Sequence, residues 1–252
     1  MNKYLVLFLS IVYDLIYIVF TGILVIVFSV VHGFRMEVPD LSENPNVTYP
    51  YIPPTFSTVV AGIVAYLPTI ILILIVELRR LSLRHLIFSF LSLVAAILTA
   101  FMFVQGGKIY AGRPRPNMYE LVARGDERDA WKSFPSGHSA ASFNGFGYFS
   151  LYVAGELRVF SDKPEMWRLI PVIVPFILAG IIVISRTRDY YHNFSDIIAG
   201  SIIGLFSAII GYFAKFASLT SAKSGDIKGP KYDDDQKDGD VELKDEELHQ
   251  DN

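Results

Sequence analysis

The chain has 252 residues, is 52% hydrophobic and has a mean hydropathy of +0.40, with apolar runs near the length of a membrane span that ordinary soluble domains lack. It contains no cysteine, which excludes disulfides, thiolate metal sites and a cysteine nucleophile, and with the last the cysteine-dependent phosphatases. The net charge of −3 conceals an acidic stretch after Ser221; what precedes it is net basic and suits an anionic substrate or headgroup.

A spanning helix needs about 20 mostly apolar residues, and the pattern predicts six. The first, residues 4–31, is too long for a signal-peptide core and lacks a small-residue cleavage pattern, so it reads as a retained helix. Asp14 lies inside it with no role that the sequence supplies. The second covers residues 58–76, with Pro68 as the expected kink. The third covers 86–104. The fourth, 139–154, is diluted by Ser142, Asn144, Gly145 and Gly147, and requires neighbours that bury it. The fifth covers 169–184. The sixth, 197–213, carries Gly200 and Gly204, a spacing that permits close helix packing. The expected fold is therefore all-α: a six-transmembrane helical bundle over residues 1–217, followed by a disordered acidic tail over 218–252 with too little apolar surface to fold. Asp238-Gly239-Asp240-Val241 in that tail superficially matches a metal-phosphatase loop and a calcium loop. It lacks the preceding strand of the one and the ligand and glycine positions of the other.

Basic loops set the orientation. Lys3, Arg79, Arg80, Arg84, Arg158, Lys163, Arg168 and Lys215 all fall on one side, assigned to the cytosol with both termini. The opposite loops, 33–57, 105–137 and 185–196, face the lumen or the exterior. Asn46-Val47-Thr48 is a glycosylation sequon on that same side, so Asn46 is a candidate for modification. Asn193-Phe194-Ser195 also matches but abuts the membrane and is expected to stay unmodified.

Three short segments at the non-cytosolic ends of the spans carry the chemistry. They read K-x6-R-P from Lys108 to Arg115-Pro116, P-S-G-H at Pro135-Ser136-Gly137-His138, and S-R-x5-H-x3-D from Ser185 to Asp196. Two of the five histidines fall in them. Hydrolysis of a phosphate ester needs neutralised phosphoryl oxygens, an in-line nucleophile and an acid for the leaving oxygen. Lys108, Arg115 and Arg186 supply cations, arginine as a planar fork and lysine as a point charge. Gly137 lets the backbone approach the phosphate at the start of the fourth helix, whose amides point at the anion, and the Ser136 hydroxyl adds a donor. His138, at the same turn, is placed to protonate the leaving group. His192 and Asp196 lie one helical turn apart, so the carboxylate can hold the Nδ1 proton and leave Nε2 as the attacking lone pair. A phosphohistidine would result, with no metal required. Arg113 is a secondary candidate cation, passed over because the step from Lys108 selects Arg115. Asp189 and Tyr190 are as consistent with a solvated loop as with the site.

These motifs resemble those of the lipid phosphate phosphatases, or type 2 phosphatidic acid phosphatases (PAP2), whose superfamily includes glucose-6-phosphatases and vanadium haloperoxidases. The stretch from Ser185 through Gly204 is particularly similar to fungal diacylglycerol pyrophosphate phosphatases. The resemblance implies a PAP2/haloperoxidase-like bundle with His192 as nucleophile, Asp196 as its partner and His138 as acid. Lys108, Arg115, Ser136, Gly137 and Arg186 would hold the phosphate. It implies a magnesium-independent enzyme without cofactors, acting on phosphatidate, diacylglycerol pyrophosphate or related lipid phosphates at the luminal or extracellular face of an endomembrane or the plasma membrane. Its partners would be that substrate and membrane lipids, with no nucleic acid. A polyprenyl-diphosphate phosphatase is the alternative enzyme, and an inactive membrane scaffold of the same family is the alternative outside catalysis. The sequon departs from the family pattern, in which it often lies between the first two motifs.

Overall fold

The computed structural model describes residues 3–38, 44–161 and 165–229. In chain order the helices are α1 (Lys3–Val30), α2 (Thr58–Arg80), α3 (Leu83–Ala111), the short α4 (Met118–Ala123) and α5 (Glu127–Ala130), α6 (Gly137–Glu156), α7 (Ile170–Arg188) and α8 (Phe194–Lys215). No strand occurs among the described residues. Five helices are long and apolar enough to cross a membrane: α1, α2, α3, α7 with the turn before it, and α8. The α6 helix has the length without the composition, because Ser139, Ser142, Asn144 and Ser150 interrupt its apolar surface.

Local chemistry explains where the helices start and stop. A serine hydroxyl accepts a first-turn amide at each of three N-termini: Ser57 from Val60, Ser82 from His85 and Ser136 from Ser139, each at 3.3 Å. Such caps contribute about 1 kcal/mol apiece. Pro68 sits inside α2 without ending it. At the far end of α3, Gly112 adopts φ 51°, and a Cβ there would collide with the Phe34 carbonyl. Glycine at this point lets the segment after α1 lie against α3. The Phe34 amide donates to the Ile109 carbonyl at 2.8 Å and Met36 to Gly112 at 2.9 Å.

The α6 helix occupies the centre of the bundle, packed by α2, α3, α7 and α8. Its polar residues find partners there. The Asn144 amide donates to the carbonyls of Ala96 (3.1 Å) and Gly204 (3.3 Å), and its oxygen accepts from the Tyr66 hydroxyl at 3.2 Å. A buried amide satisfied in this way costs little, whereas one facing lipid would be prohibitive. Gly200 and Gly204 bring α8 against the backbone of α6, with no space for a Cβ at either. Towards the other end, Ile73, Leu93, Tyr148, Tyr152, Tyr212 and Phe216 form the main apolar cluster, with the Tyr212 and Phe216 rings stacked at 4.6 Å. Asp14, without a role in the sequence, ion-pairs with Lys215 at 2.6 Å and ties α1 to α8.

At the end of the bundle assigned to the cytosol, Glu77, Arg80, His85, Tyr152 and Glu156 form a buried polar network. The Glu77 carboxylate lies 2.5 Å from His85 Nδ1 and accepts from the Tyr152 hydroxyl at 2.9 Å. Arg80 donates to Glu156 at 2.6 Å. The chain beyond α8 is latched to this network: the Gly225 carbonyl lies 2.9 Å from His85 Nε2, and Phe216 and Ile227 form an isolated bridge. A domain boundary at 217/218 therefore cuts through a turn still attached to the helices. The attachment runs through backbone carbonyls, which composition does not reveal. The rest of the expected tail, 230–252, lies outside the described residues, as does Lys163.

Candidate active site

The three motif segments come from the end of α3, the start of α6, and the junction of α7 with α8, and they meet around one cavity of about 400 Å³. Lys108, Arg115, Gly137, His138, Arg186 and His192 all line it. Arg186 is 1% exposed. It donates to the Phe56 carbonyl at 2.7 Å, lies over the Tyr191 ring at 4.7 Å, and keeps its Nε buried with no hydrogen-bond partner among the described residues. His138 likewise buries Nε2 without a hydrogen-bond partner. A Cβ on Gly137 would sit 3.9 Å from the Lys108 ammonium, an ordinary contact, so this glycine lies beside the cation without a steric demand for glycine.

His192 is buried, with Nε2 3.5 Å from Arg115 Nη1. A guanidinium only donates, so this nitrogen is the acceptor of the ring and the proton belongs on Nδ1. Nδ1 lies 3.7 Å from Asp196 Oδ2, beyond hydrogen-bond length. The carboxylate expected to orient His192 is itself firmly held. Its Oδ2 accepts from Ser133 Oγ at 2.6 Å and the Asn193 amide at 2.9 Å, and Oδ1 accepts from Arg113 at 2.8 Å. Burial pushes the His192 imidazole down to about 3, and the charges of Arg115 and Lys108 add to that despite the opposing Asp196. The ring is therefore neutral at physiological pH, the form that can attack.

Two candidates sit elsewhere than expected. Arg113 does not line the cavity; it pairs with Asp196 behind His192 and also donates to Ser195 at 2.6 Å. Ser136 is fully buried beneath the cavity, where its hydroxyl caps α6 and accepts from Ser139 Oγ at 2.9 Å. Asn46 is exposed in a short 3-10 turn in the loop between α1 and α2.

Sequence reasoning missed Asp129, which lines the cavity and grips Arg115. Arg115 Nε donates to its carbonyl and Nη2 to its carboxylate, both at 2.9 Å. Burial works to raise this carboxyl, but Arg115, Lys108 and the hydrogen bonds from Arg115 outweigh it and hold it below the usual range. Tyr191 was missed too; its ring lies under both arginines. Asp189 proves to be buried, accepting from the Thr55 amide at 2.7 Å and hydroxyl at 2.9 Å. It thereby straps the loop before α2 across the site. On the bilayer side the cavity continues between apolar or weakly polar residues: Ala61, Gly62 and Tyr66 of α2, Phe101 and Val104 of α3, and Ala141 of α6.

Two histidines and three cations thus converge on one cavity at one end of the bundle. The profile of the PAP2 superfamily matches residues 89–218, half of the chain, and the chain belongs to that superfamily. A PA-phosphatase related-family protein of Dictyostelium discoideum is 41% identical over 52% of this chain and 50% of its own length. The probable lipid phosphate phosphatase 4 of Arabidopsis thaliana is 28% identical over 81% of this chain and 72% of its own. The diacylglycerol pyrophosphate phosphatase 1 of Saccharomyces cerevisiae is 32% identical over 51% of this chain and 53% of its own. The chain thus spans about half the length of several curated relatives that it matches. No solved structure matches.

Proposed function

We propose that this protein is an integral-membrane lipid phosphate phosphatase that hydrolyses phosphatidate, diacylglycerol pyrophosphate or a related lipid phosphomonoester through a phosphohistidine, without magnesium. One observation carries the reading: buried His192 faces a cavity lined by Lys108, Arg115 and Arg186, and that cavity continues into an apolar cleft between α2 and α3. The cations neutralise the phosphoryl oxygens, the role that metal ions play in other phosphoryl-transfer sites.

His192 Nε2 attacks phosphorus and the ester P–O bond breaks. The leaving oxygen takes a proton from His138. The ring closes toward Asp196, shortening the 3.7 Å separation as positive charge develops on it; such contacts tighten in the reacting complex. Water then attacks phosphorus, forming a P–O bond as the P–N bond breaks, and gives its proton to His138. The electron pair returns to Nε2 and orthophosphate departs. Asp129 and Tyr191 hold Arg115 and Arg186 in position throughout.

In this reading α6 is the sixth span, enclosed by α2, α3, α7 and α8, and the site faces the lumen or the exterior. Asn46 is then on the side where glycosylation occurs. A lipid reaches the site from within the bilayer, its headgroup at the depth of Lys108 and its chains remaining in hydrocarbon.

The test is phosphate release from phosphatidate and diacylglycerol pyrophosphate in detergent micelles with excess EDTA, with vanadate as inhibitor. Turnover should persist in EDTA. Vanadate bound to His192 mimics the in-line transition state, so it should compete with substrate. Activity that disappears with chelation and returns with magnesium refutes the mechanism.

A further inference from the structure

Away from the motif residues, one cavity combines apolar walls with a pair of charges. It measures about 300 Å³ and lies between α1, α3 and α8. Asp14 and Tyr17 of α1, Ala95 and Thr99 of α3, and Ala214 and Lys215 of α8 line it. The α1 helix packs along α3 and scarcely touches α8, so the chamber keeps α1 and α8 apart. The Asp14–Lys215 pair bridges that gap, and the Tyr17 and Thr99 hydroxyls meet at 2.7 Å further along α3. The Lys215 ammonium also lies over the Phe88 ring at 4.8 Å. Phe88 precedes Lys108 by twenty residues on α3, about 30 Å at 1.5 Å per residue, which is the thickness of the hydrocarbon core. The pair therefore sits near the bilayer boundary opposite Lys108, and the chamber runs from it toward the middle of the membrane.

Ionisable groups within membrane spans are costly to keep and face a partner or a cavity. This pair has both, and it is incompletely satisfied. Asp14 Oδ2 and the Lys215 ammonium are 2.6 Å apart, yet that buried oxygen makes no directed hydrogen bond among the described residues. A buried polar atom of this kind calls for a partner. A group that donates to the carboxylate and accepts from the ammonium completes the pair, and a hydroxyl does both. A net charge does not suit the position, because an anion is repelled by Asp14 and a cation by Lys215.

We propose that this chamber binds a neutral lipid alcohol, an acylglycerol with a free hydroxyl. The hydroxyl sits on the Asp14–Lys215 pair, and one acyl chain lies along α3 toward Thr99. Leu91, Ala95 and Ile210 supply apolar wall for that chain. A chamber of this volume enclosed by three helices takes one flexible chain, and the second chain stays in the bilayer. The chamber shares no lining residue with the cavity at His192, so its occupancy does not depend on the phosphatase reading.

The test is photo-crosslinking of the full chain in mixed micelles. Three probes carry a diazirine: a diacylglycerol, a phosphatidylcholine of the same chains, and a sterol. Mass spectrometry then locates the labelled residues. The diacylglycerol should label chamber residues of α1, α3 and α8 at least about fivefold more than the phosphatidylcholine, which has no hydroxyl to offer. Asp14→Ala should lower that labelling about tenfold, the effect of losing one charge-assisted hydrogen bond. Ala95→Phe, which fills the chamber and leaves the pair in place, should do the same. An ion pair that only ties helices together predicts a lower thermal midpoint for Asp14→Ala, with unchanged labelling in Ala95→Phe. The wild-type comparison needs no variant to fold. Equal labelling by the phosphatidylcholine, or none by the diacylglycerol, overturns the proposal, as does chamber labelling that survives Ala95→Phe. Stronger labelling by the sterol overturns the acylglycerol assignment.

Discussion

His192 and His138 line the same cavity in different company. His192 is enclosed between Arg115 and Asp196, while His138 carries a buried Nε2 with no hydrogen-bond partner among the described residues. Removing a nucleophile and removing an acid have different signatures. His192→Ala should lower kcat by roughly three orders of magnitude or more on every substrate. His138→Ala should cost about 10²–10⁴-fold on lipid esters, and far less on 4-nitrophenyl phosphate, whose leaving group needs no proton. Identical losses on both substrates would refute the division of roles. Burial of neutral His192 also has a stability consequence. Its imidazole lies at about 3 in the fold, against about 6.5 when unfolded, so the unfolded chain binds more protons between those values. This contribution is fully present above about pH 6.5 and is lost as pH falls toward about 3. The thermal midpoint of the wild type should fall across that window, and His192→Gln, which takes up no proton, should flatten part of the fall. An unchanged slope would show that the ring is not buried neutral. The residues that the sequence revealed are those whose spacing is local, such as the step from Lys108 to Arg115. Asp129 escaped because its bond to Arg115 crosses a loop with no helical or strand period. Tyr191 escaped because a ring serving as a platform has no pattern to announce it.

At the scale of elements, α8 against α6 decides whether the site assembles. A Cβ on Gly200 would press on the Ser136 carbonyl and on Ser139, beneath the turn that presents His138. Gly200→Ala should therefore cost about 1–3 kcal/mol of stability and reduce activity with it. Gly180, whose Cβ would meet nothing within 4 Å, is the control. Gly180→Ala should be neutral or stabilising by up to about 1 kcal/mol, because alanine is the better helix former. Thermal melting of both variants with a phosphatase assay checks the pair, and equal tolerance would mean the helices separate freely. The strap before α2 is the other element in question. Asp189→Ala leaves the Thr55 amide and hydroxyl without their acceptor and frees the segment whose Phe56 carbonyl holds Arg186. KM for the lipid should rise several-fold, by about the 1–3 kcal/mol of one unsatisfied buried group at most. The spans were legible because lipid demands long apolar runs. The strap was not, since its contacts are single hydrogen bonds between distant segments.

For the whole molecule, charge is sorted to the two ends. Lys108, Arg115 and Arg186 gather at one, and the Arg80–Glu156 and Glu77–His85 network with the latched residues 218–229 at the other. If the first end is luminal or exterior, a protease added to sealed vesicles on the opposite face should cut beyond Lys228 and leave turnover intact. A membrane-impermeant substrate should be hydrolysed only from the site's own face. Cleavage and substrate access on the same face would overturn the orientation while leaving the chemistry standing.

The sequence by itself determined the all-α class, five of the six expected spans and the motif residues Lys108, Arg115, Gly137, His138, Arg186 and His192 that line the cavity, because hydrophobic length and short-range spacing are local properties of a chain. Only the tertiary structure decided the partners. It set Asp14 against Lys215, turned Arg113 from a candidate phosphate ligand into the holder of Asp196, placed Ser136 under the cavity as a cap, and let a helix as polar as α6 occupy the centre. Those outcomes depend on which polar groups are left needing a partner once the helices have packed. That balance is struck between segments far apart in the chain, where no local pattern records it.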